Sequence, residues 1–378
     1  MDEREGRSTD GGERSLTDER STTLMTPGPT VVPPEVREAM ARPIHNPDIE
    51  PGFTEFYGKL LEKLETVYGT SDDVHVLAGE GMLGLEASVA SVIEPGDRVL
   101  CLANGLFGAG FADLVELHGG TPTIHEVPDD EGFDPSEVAA LAEEGEYVAA
   151  TMIHCETPTG LLNDLEEILA VLSDADVLTI VDAVSSLGGT DVPTDDIDIC
   201  LGASQKCFSS PPGLTTLSVS DAAWDRVDAV DQRSFYASLE PWADVEPTTG
   251  PVGTPYTHSV SNLYALDASL DRILDEGLKN VYDRHEAAAA RCLERGAELD
   301  LTPYPADSDL LSPTVTAFGV EESAQELHQR VADEHGILFG TGLGEHADDV
   351  IRIGHMGYAA EVDLVDRTMD ALAAVLGE

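Results

Sequence analysis

VLTIVDAVSSLGGTDVPTDDIDICLGASQKCFSSPPG, residues 177–213, is the stretch on which the fold turns. It contains two strand-length apolar runs, 177–184 and 198–203. Neither alternates polar with apolar, so both read as strands covered on both faces, as in a parallel sheet with helical crossovers. Asp182 lies at the end of the first run and Lys206 follows the second. Ligands in open α/β sheets bind beyond the carboxyl ends of the strands, so both side chains are expected at one site. A carboxylate buried there without a task would be costly, although a cap or turn also accounts for Asp182. Lys206 is harder to dismiss, because the chain has only four lysines, Lys59, Lys63, Lys206 and Lys279. A lysine in a partly desolvated cleft has a lowered pKa and attacks carbonyls, which arginine cannot do.

The same pattern extends outward. Residues 74–78, 98–103, 122–127 and 147–155 are further strand candidates, separated by helix-length segments such as 85–97 and 106–120. The run 214–220 follows too closely for a crossover helix, so it is expected to lie antiparallel. These elements predict an α/β fold with a seven-stranded, mostly parallel sheet sandwiched by helices. Residues 262–299 read as helix. Beyond them, strand 312–318, helix 322–335, strand 350–353 and helix 362–376 predict a smaller C-terminal α+β domain. The expected division is a charged, disordered tail at 1–21, a large domain at 22–277 and a small domain at 278–378.

The 378 residues carry 73 acidic and 20 basic side chains, for a net charge of −53. The acids are spread over amphipathic segments rather than gathered in a tail. A surface of this kind repels itself unless salt screens it, to about 3 Å at 1 M. The expected setting is a salt-rich cytoplasm and a halophilic enzyme. Such a field repels phosphate backbones, which argues against a nucleic-acid partner. No run of 18 apolar residues predicts a membrane span, and the polar N-terminus does not read as a signal peptide. The five cysteines show no CxxC pair and the eleven histidines no HExxH, so reduced buried thiols and no metal are expected.

Gly79, Gly81 and Gly84 follow a strand and open a helix, matching the dinucleotide pattern GxGxxG. That pattern needs an acid at the end of the next strand, where Asn104 stands instead. A plain turn also explains the glycines, but free N–H groups at a helix start still suit an anion. Arg352, in a short strand, is suited to fork onto a carboxylate, or to make an ordinary surface ion pair.

Glycine loop, strand-end aspartate and strand-end lysine together carry a resemblance. The chain resembles fold-type I pyridoxal-phosphate enzymes, specifically class V aminotransferases of the alanine–glyoxylate/serine–pyruvate type, from about residue 24 to its end. The stretches that carry it are TPGPTVVPPEV, GLEASVASVIEPGDRVLCLANGLFG, HCETPTGLL, VDAVSSLGG, GASQKCFSSPPG, TPYTHSVSNLYALDASL and VIRIGHMG. The resemblance implies pyridoxal 5′-phosphate as cofactor and a homodimer with active sites shared across the interface. Lys206 looks like the Schiff-base lysine, with Gln205 beside the cofactor phosphate. Asp182 would pair with the pyridine nitrogen, Val184 would pack under the ring, Phe107 would stack on it and Thr157 would reach its hydroxyl region. Gly79, Glu80, Gly81 and Met82 would form the phosphate loop. Thr254 and Thr257 would serve the phosphate of the other subunit. Arg352, with Gly28, would bind the substrate.

The chain departs from the resemblance at three places. Phe107 stands where many relatives have tryptophan, and Thr254 where the partner's tyrosine is usual. Glu80 and Met82 replace hydroxyl donors in the loop, which leaves the phosphate more dependent on backbone N–H groups. The implied reaction is transamination between alanine or serine and glyoxylate or pyruvate. Rivals are another class V activity, such as a phosphoserine, aminophosphonate or aspartate aminotransferase, or a cysteine desulfurase-like lyase. More distant are a nicotinamide-dependent dehydrogenase using Gly79, Gly81 and Gly84, and a dimeric binding protein without catalysis.

Overall fold

The computed structural model describes residues 22–245 and 253–377. The segment 1–21, expected to be a disordered tail, lies outside the described residues.

Strand β1 (Thr23–Met25) leads through a proline-rich turn into α1 (Pro34–Ala39). Pro51 starts α2 (Pro51–Tyr68), where its missing N–H costs nothing, and Gly69 ends that helix at φ 71°. Strands and helices then alternate: β2 (Asp73–Leu77), α3 (Gly81–Val92), β3 (Arg98–Ala103), α4 (Leu106–Leu117), β4 (Thr121–Glu126), α5 (Pro135–Glu144) and β5 (Tyr147–Ile153). A tight hairpin follows, β6 (Cys155–Glu156) paired with β7 (Leu161–Leu162). Next come α6 (Glu166–Asp174), β8 (Leu178–Asp182), β9 (Ile199–Ala203), β10 (Thr215–Val219) and α7 (Asp221–Ala229).

Seven of these strands form one sheet in the order β2-β10-β9-β8-β5-β3-β4. Only β10 runs against its neighbours, because the chain turns back from β9 without a helix. The mostly parallel sheet expected from the apolar runs is therefore present. Its inner strands are buried on both faces because helices cover both: every residue of β9 and β10 is buried. Helix α3 packs on β9 and β10 without a gap. Gly84 permits this, since a Cβ there would lie 2.4 Å from Thr215 Cγ2. The third glycine of the GxGxxG pattern thus serves helix-on-sheet packing.

The helical stretch expected over 262–299 is broken at Gly277, φ 84°, into α8 (Val260–Glu276) and α9 (Leu278–Glu298). Helix α9 buries Val281, His285, Ala288 and Cys292, spaced three or four residues apart on one face. Val281 belongs to the main core, whereas Ala288 and Cys292 belong to a second one. That second core lies on a five-stranded sheet. Its remaining elements are β11 (Thr302–Pro303), β12 (Thr316–Gly319), α10 (Ala324–His335), β13 (Ile337–Thr341), β14 (Val350–Ile353) and α11 (Val362–Leu376).

This sheet, in the order β1-β13-β14-β12-β11, contains three strands beyond the two expected over 312–318 and 350–353, namely β1, β11 and β13. Strand β1 joins it, parallel to β13, and Met25 is fully buried in the second core. A boundary that keeps all of 22–277 together separates β1 from this sheet. Its hydrogen-bonding partner lies hundreds of residues away, where no local pattern reveals it. Among the described residues no helix is long and apolar enough to cross a membrane.

Candidate active site

The carboxyl ends of β8 and β9 meet the start of α3 and the β6–β7 hairpin around a cleft of about 150 Å3. Asp182 is the last residue of β8 and is only 8% exposed. The Val184 N–H donates to its Oδ1 at 2.8 Å. Among the described residues it has no ion pair. Burial raises its pKa to about 6, against the lowering effects of the Val184 N–H and Lys206. A buried carboxylate in this state is stabilised by a cationic N–H set against it.

Lys206 follows β9 in a turn, with Nζ donating to the Pro27 carbonyl at 2.7 Å. Burial pushes its pKa down, and the nearby Asp182 opposes that shift. Gly28 lies directly against the lysine. A Cβ at Gly28 would stand 2.5–2.8 Å from Lys206 Cδ, Cε and Nζ, and the backbone there has φ 114°. Thr30 ties the same segment to the lysine's turn, its N–H on the Gln205 carbonyl and its hydroxyl on the Lys206 carbonyl.

Glu80, Gly81, Met82, Phe107, Thr157, Val184 and Gln205 line the cleft together with Asp182 and Lys206. Gly79 sits just behind, in the turn between β2 and α3, where a Cβ would strike Leu83. Thr157 lies at the turn of the β6–β7 hairpin, its hydroxyl bonded to that of Ser185. Gln205 is buried, and its Oε1 has no partner among the described residues. The loop differs in one respect from the expectation of free N–H groups. Glu80 caps α3, and its own carboxylate accepts the Met82 N–H at 3.3 Å.

Arg352 projects from β14 behind Thr157. Its Nε donates to the Thr341 carbonyl at 2.7 Å and its Nη1 to the Thr157 carbonyl at 3.2 Å. It is 8% exposed, and among the described residues it has no ion pair, so the surface-pair reading does not apply. Burial alone lowers its pKa to about 10. Two carbonyls aim the guanidinium and leave part of its fork for an anion.

Thr254 and Thr257 are not in the lining of this cleft. The Thr254 hydroxyl donates to the Tyr256 carbonyl, and Thr257 is exposed. Asn104, where a nucleotide site would need an acid, is buried against Asn163 and the Glu131 carbonyl.

Sequence reasoning missed Glu156. It is fully buried, accepts the Gly108 N–H at 2.7 Å and the Phe107 N–H at 3.4 Å, and so holds the start of α4. Burial raises its pKa to about 7, the two N–H groups opposing. A carboxyl directly after the apolar strand β5 was the available signal. Glu156 lies behind the lining; Cys155 and Ser185, which are in it, had no signal.

The family model "Aminotransferase class-V" matches residues 51–364. An aminotransferase of Methanocaldococcus jannaschii is 36% identical, covering 90% of this chain and 89% of its own length. The pyridoxamine–pyruvate transaminase of Mesorhizobium japonicum is 35% identical over 93% of this chain and 91% of its own. The crystal structure of ureidoglycine–glyoxylate aminotransferase from Bacillus subtilis superposes with a TM-score of 0.90 at 29% identity, covering 94% of this chain and 92% of that one.

Proposed function

The chain belongs to the class V aminotransferases, and on that premise we propose that it moves an amino group from a small amino acid, alanine or serine, to glyoxylate or pyruvate. Pyridoxal 5′-phosphate is the cofactor of this class. The cleft fits its ring, because Asp182 is a buried carboxylate without a cation and Lys206 is a desolvated amine beside it. Bound there, the cofactor supplies an aldehyde for the amine and a ring that takes up the electron pair left when Cα loses its proton.

The chain's own residues do the rest. Asp182 would hold a proton on the pyridine nitrogen. Phe107 and Val184 would cover the ring, and Thr157, whose hydroxyl bonds that of Ser185, would meet its hydroxyl. Gly81, Gln205 and their neighbours lie towards the phosphate. Lys206 would hold the cofactor, and its freed amine would move the proton of the substrate's Cα. Arg352 forks onto the substrate carboxylate and so presents Cα to Lys206. Thr254 and Thr257 of a second subunit complete the site, which makes the working enzyme a homodimer in a salt-rich cytoplasm.

The observation that carries this reading is Arg352, a buried guanidinium without a counter-ion among the described residues, close enough to Lys206 to help depress it. A second reading takes pyridoxamine itself as the amino donor to pyruvate. Glu80 in the loop favours it, as does likeness to the relative named for that reaction.

The test is direct. Alanine and glyoxylate should yield pyruvate and glycine with the cofactor-loaded protein. Borohydride should leave a phosphopyridoxyl group on Lys206 by peptide mapping, and Lys206→Ala should not turn over. Label on Lys59, Lys63 or Lys279 instead, or turnover by Lys206→Ala, would overturn the assignment.

A further inference from the structure

We propose that Ser209 is a positioning residue for the reaction: its hydroxyl joins the turn after the Arg352 strand to the turn that carries Lys206, and so fixes where the lysine amine stands. The inference rests on the aminotransferase reading above and adds to it a residue outside the lining of the cleft.

Ser209 follows Lys206 by three residues and is buried. Its φ of 54° lies in the left-handed region, which a non-glycine residue adopts at a cost. Its N–H closes the turn on the Lys206 carbonyl at 2.9 Å. Its hydroxyl accepts the Tyr358 N–H at 2.7 Å and lies 3.4 Å from the Thr30 hydroxyl. Thr30 Oγ1 has one proton, and the Lys206 carbonyl, at 2.9 Å, is nearer to it than the Gln205 carbonyl, at 3.3 Å. With that proton committed, Ser209 is the donor to Thr30. One chain of donors therefore runs from the Tyr358 N–H through the Ser209 and Thr30 hydroxyls to the Lys206 carbonyl. Each link polarises the next, and removing one leaves a buried polar group unpaired.

The two ends of this chain are fixed from different directions. Tyr358 sits in the turn after β14, the strand that bears Arg352. That turn is held by α9. The Gly357 N–H donates to His285 Nε2 at 2.9 Å, and Arg284 Nη1 donates to the carbonyls of Gly357 and Ala360, at 2.8 and 3.0 Å. Gly357 also presses on the serine, since a Cβ there would lie 2.1 Å from Ser209 Oγ. At the other end, Thr30 belongs to the segment that covers the amine. The Pro27 carbonyl takes the Lys206 Nζ bond, and Gly28 abuts the lysine side chain. Ser209 thus ties the cover of the amine to the strand of the carboxylate anchor. The spacing between Lys206 and Arg352 decides whether a substrate held by its carboxylate presents Cα to the amine.

Without the hydroxyl, the Pro27–Thr30 segment should loosen from the lysine turn and admit water to Nζ. The ionisable groups that face the amine, Asp182, Cys155, Cys207 and Arg352, are untouched by that change. Burial is the largest influence holding the amine below its ordinary pKa, so its relief reads as a rise.

The test reads Lys206 directly, on the full chain freed of cofactor, at one salt concentration. Competitive acetylation with peptide mapping gives a pH midpoint for each lysine, and the exposed Lys59 and Lys279 serve as internal references. Ser209→Gly suits the left-handed backbone but has no hydroxyl, and Thr30→Val cuts the chain at its next link. Each should raise the Lys206 midpoint by about one pH unit and leave the references unmoved. Thr30→Ser keeps the hydroxyl and should keep the wild-type midpoint. With cofactor restored, Ser209→Gly and Thr30→Val should lower kcat for alanine and glyoxylate by about 10- to 100-fold, with KM within about twofold of wild type. The double variant should be no slower than the slower single one, because both cut the same chain. A serine that serves stability alone would lower the melting temperature and leave the midpoint and kcat as they were. That outcome, or losses that add in the double variant, would overturn the proposal. If wild type moves no amino group, the aminotransferase reading falls, and the Lys206 midpoint still decides on Ser209.

Discussion

Replacing Arg352 by alanine tests the site where its geometry is most explicit. The guanidinium uses two of its donor directions on the Thr341 and Thr157 carbonyls. The rest of the fork has no ion pair among the described residues, and burial has lowered the pKa to about 10. The charge is held out of water in advance of its ligand. Removing it leaves an incoming carboxylate desolvated with no cation. Truncating one partner of such a pair costs about 2–5 kcal/mol, much of it the penalty on the partner left behind. That is a fall of roughly 30-fold to several thousand-fold in kcat/KM. The assay is the initial rate of pyruvate formation from alanine and glyoxylate, with cofactor content followed by absorbance. KM should rise for both substrates, because each carries a carboxylate, while the cofactor stays bound. Arg352→Lys should recover only part, since an ammonium cannot fork. An amine donor without a carboxylate should be indifferent to the change. If KM for alanine and glyoxylate stays within about twofold of wild type, the unpaired charge is not a carboxylate anchor.

Three further outcomes follow from charge and symmetry. Glu156 has a native pKa raised to about 7 from 4.5, so its contribution to stability is complete below pH 4.5 and is lost as pH rises towards 7. The loss is about 3 kcal/mol, and Glu156→Gln should remove that slope from denaturant melts between pH 5 and 8; parallel pH curves for the two proteins would refute this. Inactive Lys206→Ala and Thr257→Ala chains, mixed and refolded, should regain activity in hybrids, because one of the two shared sites then has both residues intact. Silent hybrids, with Thr257→Ala alone shown to be inactive, would count against a site built from two chains. The melting temperature should climb from dilute buffer to molar salt as the net charge of −53 is screened, and a flat series would remove the halophilic reading.

Much of the architecture was legible because the apolar runs are long and punctuated. The bounds 350–353 and 362–376 coincide with β14 and α11, and the antiparallel β10 followed from a connection without room for a helix. Asp182 and Lys206 could be placed at one edge because a parallel sheet puts all its carboxyl ends on the same side. What stayed hidden depends on contacts between distant segments. Nothing near Thr23–Met25 announces that it pairs with Ile337–Phe339. Nothing near Arg352 announces the two carbonyls that aim it. Glu156 reads as one acid among 73, and only burial against α4 sets it apart. Glu80 was visible as a departure from the family's loop, but its bond to the Met82 N–H was not.

The pairing of β1 with β13 also bears on how the chain is made. Thr23 is made about 300 residues before its partner Ile337. At typical elongation rates the wait is on the order of tens of seconds. Throughout that time the main sheet can already close around Lys206, while Pro27 and Gly28, which abut the lysine, have no strand to anchor the segment that carries them. Contacts so distant in sequence form late. A nascent chain arrested before residue 337 would therefore hold a folded sheet beneath an unfinished reaction centre. Until Ile337–Phe339 is made, the lysine is kept from its finished setting by the order of translation itself.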